Sequence, residues 1–416
     1  MRFCMITTFY PPFNFGGDGV FVEQLSRELA RRGHKVEVIH CVDSYEVMAG
    51  GMDSMGGVEH SVDHANVTVH RLKSPFGVLS PLATQQTGRP LLKSKRIAEI
   101  LTSDFDVIHF HNVSLVGGPA ILQYGRATKL YTLHEYWLVC PMHVLFKNRT
   151  TLCQSQSCFT CSVRHRRPPQ LWRYSNLMEQ SLAHLDVCIA PSRFSKEKHV
   201  EMGLQVPIVE LPYFTSRWVA GDAAPAEKAE DRPYFLFVGR LEYIKGVQTL
   251  LPVFRTFQKA RLLIAGVGTY EHALRRLAKS CPNVEFLGQQ SANELRRLYE
   301  GAVAVIVPSI WYEVFGQVII EAFSLRTPAI VRNIGGMPQT IEESGGGFVY
   351  TTDEELMRAL DALVEDPQLR SRLGARGHAA FREKWTADVH IRQYLDLIER
   401  RQAGRSAKSA ETRFRG

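Results

Sequence analysis

Short runs of β-branched and other apolar residues alternate with helix-length segments through both halves of the chain. This alternation is typical of parallel β-sheets joined by crossover helices, and it predicts two α/β domains. The strands of the first half are predicted at Arg2–Thr7, Lys35–His40, Val107–Phe110, Lys129–Leu133 and Val187–Ala190. The strands of the second half are predicted at Tyr234–Val238, Arg261–Ala265, Val284–Leu287, Val303–Val307 and Ala329–Val331.

The domain boundaries follow from the same pattern. The chain has 416 residues, which suits two domains of ~100–200 residues each. We place an N-terminal domain at residues 1–215 and a C-terminal domain at residues 234–380. Residues 216–233 are rich in alanine, proline and charge and are predicted to be a linker. A last helix is predicted at residues 381–401, followed by a disordered basic tail at residues 402–416.

Composition and charge narrow the classes of partner. Hydrophobic residues make up 45% of the chain and charged residues 22%, which excludes disorder on the scale of a domain. The formal net charge is +8 and the pI is about 9.0. This basic balance favours contact with anions such as nucleotides, nucleic acid or an acidic membrane surface.

The N-terminal residues do not resemble a signal peptide, because threonines and the pair Pro11-Pro12 interrupt the apolar run. No window approaches the ~18 apolar residues that a membrane-spanning helix needs. We therefore expect a cytoplasmic protein with reduced cysteines. A peripheral contact with the inner face of the membrane stays open.

Unusual residues follow the predicted strands, at the edge of a parallel sheet where ligands bind. These glycines, cations, histidines and amides are Gly16, Gly17 and Gly19, His111 and Asn112, His134, Gly239, Arg240 and Lys245, and Gly266 and Gly268. Their placement predicts a ligand cleft between two facing domains. The glycine loops match neither a dinucleotide fingerprint nor a Walker loop, so nicotinamide and ATP are disfavoured as ligands.

The strongest motif is the pair Glu313 and Glu321, separated by seven residues. Gly316 is predicted to open a helix that runs to Leu325, and the amino end of a helix attracts phosphate. Glu321 lies in an apolar stretch, where a carboxylate is costly to bury without a partner. This pair therefore indicates a ligand site more strongly than a solvated helix face.

Two basic residues, Arg240 and Lys245, follow the first strand of the second half. An arginine can bind a diphosphate in a bidentate manner, and a lysine adds a compact second charge. Alone, such a pair is usually surface charge. Ahead of the two glutamates, it favours a diphosphate site.

Four cysteines, Cys140, Cys153, Cys158 and Cys161, lie close together in the sequence and could hold a structural zinc ion. Only one pair has the tight C-x-x-C spacing, so free thiols are the alternative. The basic and aromatic segment Arg164–Arg173 is either a solvated face or a surface for an anionic acceptor or membrane. Asp104 and Asp106 precede their strand, so we expect no metal there.

These motifs together resemble the family 4 glycosyltransferases, which have the GT-B architecture of two facing Rossmann-like domains with a cleft between them. The resemblance covers nearly the whole chain, and the last two of its motifs are specific. The motifs are the loop at residues 16–19, Arg32-Gly-His34-Lys-Val, Asp106-Val-Ile-His109-Phe-His111, Thr132-Leu-His134-Glu-Tyr, Ala190-Pro-Ser192, Gly239-Arg240…Lys245-Gly246 and Glu313…Glu321.

The resemblance implies a retaining hexosyltransferase that uses a UDP- or GDP-linked sugar and needs no cofactor. The implied acceptor is a growing surface or extracellular polysaccharide or a lipid-linked saccharide. The C-terminal helix, residues 381–401, would cross back to the N-terminal domain.

The resemblance also implies a role for each motif residue. Arg240 and Lys245 would hold the donor diphosphate, and Glu321 would bind the ribose hydroxyls. Glu313 would contact the hexose, and His134 would lie near the reaction centre. The remaining donor-binding positions are Gly16, Gly17, Gly239, Gly266, Gly288, Phe315, Gly316 and Gln317.

Other functions fit parts of this pattern. A nucleotide-sugar epimerase would need no acceptor, and a sugar phosphorylase would need inorganic phosphate. A non-catalytic sugar-binding relative would be expected to lose some of the motif cations and glutamates. A nucleic-acid-binding protein would interleave exposed aromatic and basic residues along one element. Only Arg164–Arg173 offers a similar pattern, and a nucleic-acid-binding function would leave the strand-end residues unexplained. We therefore expect no nucleic-acid partner.

Overall fold

A computed structural model describes residues 1–49, 64–218 and 232–414 of the chain, with side chains as far as residue 405. The chain divides into two compact units. The first unit comprises Met1–Pro191, Lys196–Leu211 and His390–Gly416, and the second comprises Ser192–Ser195 and Pro212–Val389.

The first unit is built on a seven-stranded sheet in which every neighbouring pair is parallel. The strands up to residue 210, which include a small β6–β7 hairpin, are β1 Arg2–Ile6, β2 Lys35–Cys41, β3 Val67–Leu72, β4 Val107–Phe110, β5 Thr128–Thr132, β6 Phe146–Lys147, β7 Thr151–Leu152, β8 Val187–Ala190 and β9 Ile208–Glu210. The helices of this part are α1 Gly17–Arg31, α2 Val42–Ala49, α3 Leu79–Thr87, α4 Ser94–Leu101, α5 Cys158–Arg164, α6 Leu177–Leu182 and α7 Arg193–Glu201. The sheet order is β3-β2-β1-β4-β5-β8-β9.

The second unit is built on a six-stranded parallel sheet in the order β12-β11-β10-β13-β14-β15. Its strands are β10 Tyr234–Val238, β11 Arg261–Ala265, β12 Val284–Gly288, β13 Val305–Val307, β14 Ala329–Arg332 and β15 Gly347–Tyr350. The remaining helices are α8 Leu251–Thr256, α9 Glu271–Leu277, α10 Ala292–Gly301, α11 Gln317–Ser324, α12 Met337–Ser344, α13 Asp353–Glu365, α14 Pro367–Lys384 and α15 Ala387–Phe414.

The central strands form because their residues are apolar on both faces. Phe235, Leu236 and Phe237 of β10 are all buried, as expected for a parallel strand that helices cover on each side. In both sheets the strand order reverses beside the first strand, between β1 and β4 and between β10 and β13. Such a reversal opens a crevice at the carboxyl ends of the strands, where α/β proteins bind ligands.

The predicted α/β fold class, with two Rossmann-like parallel sheets, is confirmed. Each predicted strand is present, although the strand predicted to start at Val303 begins at Val305. Besides the β6–β7 hairpin, three strands of the two large sheets were missed, namely β3, β9 and β15. These strands lie at sheet edges, where burial is incomplete and the apolar run that marks a central strand is weak.

The predicted disordered tail is wrong at its start, because helix α15 continues to Phe414 instead of ending at residue 401. Gln402 donates a hydrogen bond to the backbone carbonyl of Asp106 over 3.4 Å. Arg405 donates to the carbonyl of Ala127 over 2.7 Å and lies 3.1 Å from Asp186. Polar contacts with the rest of the first unit therefore hold this part of the helix, which its low apolar content did not predict.

Most of the predicted linker, residues 219–231, lies outside the described residues. Its first residues are not linker-like. Trp218 is buried, and its ring centroid is 5.2 Å from that of Tyr299 on α10. Arg217 and Trp218 thus belong to the packed part of the second unit. Among the described residues, no helix is long and apolar enough to cross a lipid bilayer.

Candidate active site

Lys245, Ser309 and Glu313 form a compact cluster in the second unit. The Lys245 ammonium donates a hydrogen bond to Glu313 Oε1 over 2.6 Å, and the Ser309 hydroxyl donates to the same oxygen over 2.8 Å. Burial acts to raise the pKa of Glu313, but Lys245 and Ser309 outweigh it and hold the pKa below its ordinary value. Glu313 is therefore a buried carboxylate that stays ionised beside a fixed cation.

A glycine brings these residues together. Lys245 ends a 3-10 turn, Tyr243–Lys245, and Gly246 follows it with a φ of +76°. A Cβ at Gly246 would lie 2.0 Å from the carbonyl oxygen of Pro308, so only glycine lets the turn pack against the loop after β13. The backbone N–H of Ile310 also donates to the carbonyl of Ile244 over 2.9 Å.

Glu321 lies on α11 and is buried with its own partners. The Tyr299 hydroxyl donates to Glu321 Oε2 over 2.9 Å, and Arg217 lies 3.7 Å from Oε1. Burial raises the pKa of Glu321 above its ordinary value, and Arg217 and Tyr299 only partly oppose this shift. Sequence reasoning missed both partners: Arg217 fell in the predicted linker, and Tyr299 carries no motif.

The helix predicted to open at Gly316 is confirmed, because α11 spans Gln317–Ser324 and Gly316 precedes it with a φ of +101°. No side chain caps this end of the helix within the described residues. Ile319 donates to the carbonyl of Gly316 over 3.0 Å, but the N–H groups of Gln317 and Val318 come before any acceptor within the helix, as suits an anion. Phe315 is buried against Tyr213 and Trp385, and this packing holds the backbone that leads into α11 in place.

Arg240 follows β10 and is exposed, and it has no ion-pair partner among the residues that the structure describes. It differs from Lys245, whose charge Glu313 already neutralises. An unpaired guanidinium beyond a strand end can bind phosphate oxygens in a bidentate manner. The two predicted diphosphate-binding cations thus stand in different electrostatic states.

Three of the predicted donor-binding glycines lie at neighbouring strand ends. Gly266 follows β11, and a Cβ there would lie 2.0 Å from the carbonyl oxygen of Gly239. Gly266 also donates to the carbonyl of Gly288 over 2.7 Å. Gly288 ends β12 with a φ of +69° and has open space around its Cβ position. Close approach of the strand ends is enough to explain Gly266, whereas Gly288 leaves room for a ligand.

Replacing Gly266 with alanine is expected to lower the free energy of unfolding by about 2–5 kcal/mol, from the steric contact and the positive φ together. Urea denaturation measures this loss. Gly33 provides the control, because its φ is +84° but nothing lies within 4 Å of its Cβ position. Gly33→Ala should cost only about 1–2 kcal/mol. Equal losses in the two variants would contradict the contact with Gly239.

In the first unit, a loop after β1 leads into α1. Gly16 precedes the helix in an extended conformation that any residue can adopt, and Gly17 is the first helical residue. Gly19, which was predicted at the ligand edge but given no donor-binding role, has the tightest surroundings: a Cβ there would lie 2.9 Å from the carbonyl oxygen of Phe9. Asn112, after β4, donates to Asp18 over 3.4 Å. The ends of β1 and β4 thus meet at the start of α1.

His134 follows β5 and belongs to a row of histidines. Its Nε2 lies 2.9 Å from Nδ1 of His111, so one ring donates a hydrogen bond to the other. The rings of His111 and His109 are 4.0 Å apart, and His109 hydrogen-bonds to the hydroxyls of Tyr394 and Thr132 over 2.9 and 2.8 Å. Burial lowers the pKa of His134 to about 4, with Asp18 opposing. At neutral pH, His134 is an uncharged hydrogen-bonding group.

His111 was predicted at the ligand edge and His109 was part of a sequence motif, but neither was given a catalytic or donor-binding role. The signal was present, because His109 lies in the buried strand β4 and His111 follows directly after it, two positions on, so that both side chains are expected on the same face of the sheet. Burial lowers the pKa of both rings well below the ordinary value of 6.5. Their neutral state and their hydrogen bonds fix the orientation of His134.

This row predicts that the protein loses stability in acid. The folded pKa values lie below the ordinary 6.5, so the unfolded chain binds more protons as the pH falls. Stability should be complete above pH 6.5 and decline towards pH 4, by up to about 2 kcal/mol per buried histidine at pH 5. Thermal unfolding at a series of pH values measures the decline.

His111→Phe keeps a ring in the row and removes one titrating group, so its stability should decline less steeply with pH. The exposed His184 is the control, and His184→Asn should decline as the wild type does. Parallel profiles for wild type and His111→Phe would contradict a role for this histidine in the acid sensitivity.

The predicted structural zinc site is not supported. Cys140, Cys153, Cys158 and Cys161 are all free thiols that line one small, apolar cavity of about 20 Å³ beside the β6–β7 hairpin. Among the described residues, no group of three or more Cys, His, Asp or Glu side chains is arranged to hold a metal ion. Burial raises the pKa of Cys140 to about 11, so this thiol is protonated and inert at neutral pH.

Two family models match the chain. The model described as Glycosyltransferase Family 4 matches residues 15–212, and the model described as Glycosyl transferases group 1 matches residues 222–379. The chain is 24% identical to an uncharacterized glycosyltransferase of Methanocaldococcus jannaschii, over 96% of this chain and 98% of that protein.

Two solved structures share the fold. Sucrose-phosphate synthase of Thermosynechococcus elongatus is similar with a TM-score of 0.73 and 20% identity, over 97% of this chain and 99% of that chain. Anabaena HepE in complex with UDP-glucose is similar with a TM-score of 0.69 and 17% identity, over 96% of this chain and 99% of that chain.

Proposed function

The chain belongs to the family 4 glycosyltransferases with the GT-B fold, and from this premise we propose that it is a retaining hexosyltransferase with a UDP- or GDP-linked sugar as donor. The acceptor is a saccharide, either lipid-linked or part of a growing surface or extracellular polysaccharide. No metal cofactor takes part in the proposed reaction.

The observation that carries this proposal is the ionised Glu313 beside Lys245, one turn before the uncapped start of α11. A buried ion pair is costly to desolvate and adds little to stability on its own account. This ion pair lies beyond the carboxyl ends of β10 and β13, where the strand order reverses and α/β proteins bind ligands. There it suits a ligand that has both hydroxyl groups and negative charge. A sugar joined to a diphosphate is such a ligand.

Different residues of the second unit bind different parts of this ligand. Arg240 and Lys245 bind the diphosphate, together with the backbone amides of Phe315, Gly316 and Gln317. Glu313 accepts hydrogen bonds from the hexose hydroxyls. Glu321 accepts hydrogen bonds from the ribose, and Gly288 leaves space for the base. Tyr299 and Arg217 hold the Glu321 carboxylate in position.

In the first unit, the resemblance assigns His134 to the reaction centre and Gly16 and Gly17 to donor binding. His134 is uncharged at neutral pH and offers a hydrogen bond to a sugar hydroxyl without placing a cation beside it. Gly16 and Gly17, at the start of α1, leave the backbone free of side chains where phosphate approaches.

In the transfer step, the bond between the anomeric carbon and the diphosphate oxygen breaks, and its electron pair stays on the leaving diphosphate. The acceptor hydroxyl oxygen bonds to the anomeric carbon on the same face, and its proton passes to the leaving phosphate oxygen. Lys245, Arg240 and the α11 amides stabilise the negative charge that develops there. Fixed donors of this kind each contribute about 3 kcal/mol to the barrier reduction.

Thermal stabilisation by a panel of nucleotides tests the donor assignment. UDP, GDP, ADP and their hexose conjugates are added without divalent metal and with a chelator. A ligand at 100 times its dissociation constant stabilises the folded protein by about 2.7 kcal/mol. We expect one base to stabilise strongly. No response to any nucleotide would overturn the proposal.

Product analysis then separates transfer from its alternatives. A transferase releases nucleotide only as sugar reaches an acceptor or water, and the product keeps the anomeric configuration of the donor. A phosphorylase would need inorganic phosphate, and an epimerase would alter the sugar nucleotide without releasing the nucleotide. Inverted configuration, determined by NMR spectroscopy of the product, would overturn the retaining assignment.

A further inference from the structure

The surface made by α3 and the 3-10 turn Leu91–Lys93 has inverted polarity. Ser80 and Thr84 of α3 face inward and are each 1% exposed. The buried Lys93 ammonium donates to the Ser80 hydroxyl over 2.9 Å and to the carbonyl of Leu115 over 3.3 Å. The large apolar side chains of this segment are instead exposed, namely Phe76, Val78, Leu79, Leu82, Leu91 and Leu92.

A second segment extends this surface. The 3-10 turn Leu171–Tyr174 packs beside α3, and the Trp172 indole donates to the carbonyl of Gln85 over 2.9 Å. Leu171 and Tyr174 are also exposed. We name the eight exposed residues of the two segments the apolar face. They make up half of the exposed large apolar side chains in the described part of the chain.

The two segments that carry the apolar face contain basic residues and no acidic ones. Residues 73–96 contain five basic residues and no aspartate or glutamate. Residues 159–178 also contain no acidic residue, and they include Arg164, Arg166 and Arg167. Arg89 and Lys95 are exposed and have no ion-pair partner among the described residues. Arg96 lies 3.3 Å from Glu99, and Lys73 lies 2.6 Å from Glu46.

We propose that the apolar face docks on a lipid bilayer that carries anionic headgroups. Leucine and aromatic side chains interleaved with lysine and arginine suit the boundary between acyl chains and headgroups. A protein partner fits less well, because the centres of protein interfaces are depleted in lysine. Ser80, Thr84 and Lys93 fill the inward side of this segment. The leucines therefore point outward in the native fold, and no place in the core is left for them.

The docking position differs from the one that the sequence indicated. The segment Arg164–Arg173 was a candidate membrane or acceptor surface, but its last arginine is occupied. Arg173 donates to the carbonyls of Trp137 and Leu138 over 2.7 and 3.3 Å and stacks on Trp172. The apolar face lies mainly on residues 76–92 instead. This inference rests on the proposed function only in that a lipid-linked acceptor would be presented at the same bilayer.

Vesicle co-sedimentation tests the docking directly. The full-length protein is mixed with vesicles of phosphatidylcholine alone, or of phosphatidylcholine with phosphatidylglycerol, at low and high salt. We expect binding to the anionic vesicles that weakens with salt. Arg89→Gln should reduce the partition coefficient about fivefold, which corresponds to about 1 kcal/mol per cation near the surface.

A double variant tests the apolar part of the face. Leu82→Gln with Leu91→Gln should reduce binding at least tenfold. Leu277→Gln is the matched control, because Leu277 is 47% exposed on the second unit, against 45% for Leu82 and 46% for Leu91. No binding of the wild type to anionic vesicles, or equal binding by the double variant, would overturn the proposal.

Two further measurements keep the outcomes distinct. If the wild type is a dimer in light scattering and the double variant is a monomer, the face is covered by a second copy and the membrane assignment is wrong. Nucleotide stabilisation should be the same in the double variant and the wild type, since none of these residues lies in the donor site. Vesicle binding without any nucleotide response would refute the proposed donor and leave the docking intact.

Discussion

Replacing Lys245 with alanine is expected to lower kcat by two to three orders of magnitude. The ammonium group is held 2.6 Å from Glu313, in a turn that Gly246 packs against the loop after β13. As the glycosidic bond breaks, negative charge gathers on the leaving phosphate. Loss of one fixed donor to such charge costs about 3 kcal/mol in the transition state. Steady-state nucleotide release at saturating donor measures the change.

The same variant leaves Glu313 buried without its cation, and removal of one partner of a buried pair can destabilise the protein by about 3–5 kcal/mol. A double variant, Lys245→Ala with Glu313→Gln, removes both charges. It should recover much of the stability and none of the activity. Lys259→Ala is the control, because Lys259 pairs with Asp361 at the surface of the same unit. Near-normal turnover in a folded Lys245→Ala protein would refute the catalytic assignment.

Glu321→Ala is expected to abolish most of the stabilisation that a nucleotide provides. A hydrogen bond to a charged group contributes about 1.5–3 kcal/mol, so two lost ribose contacts should weaken binding at least 100-fold. A ligand concentration that stabilises the wild type by about 2.7 kcal/mol would then stabilise the variant by only about 0.4 kcal/mol. The comparison is made within each variant, with and without nucleotide, so a change in intrinsic stability cancels.

Two variants on α10 sharpen this prediction. Tyr299→Phe removes the hydroxyl that donates to Glu321 and should weaken nucleotide binding less than Glu321→Ala does, because the carboxylate remains. Glu300→Ala is the control, since Glu300 pairs with Arg296 on the same helix and away from Glu321. Undiminished nucleotide stabilisation in Glu321→Ala would show that the ribose contact is made elsewhere.

Much of the candidate site could be predicted from the sequence because its signals are local. The helix after Gly316 was predicted from a glycine followed by a run of helix-length apolar residues, and α11 begins there. Arg240 and Lys245 were predicted from their place after β10, whose five residues form a plain apolar run. Strand ends of a parallel sheet share one edge, so position along the chain translates into position in space.

Other members of the site could not be predicted, because their contacts join distant parts of the chain. Arg217 and Tyr299 approach Glu321 from a segment that looked like a linker and from a helix without a motif. The row from Tyr394 through His109 to His134 joins the last helix to two strands. Such partners are set by packing, which hydrophobic periodicity does not encode.

The sequence by itself determined the two parallel-sheet units, the central strands and the order of the motif residues, because continuous apolar runs and glycine positions act through local conformation. Only the tertiary structure decided the charge states and the outward face of α3. Glu313 is ionised because Lys245 reaches it across a loop, and His134 is neutral because the fold buries it. Leu82 is exposed because Ser80 and Thr84 turn inward to polar partners. Desolvation and long-range pairing exist only in the folded chain.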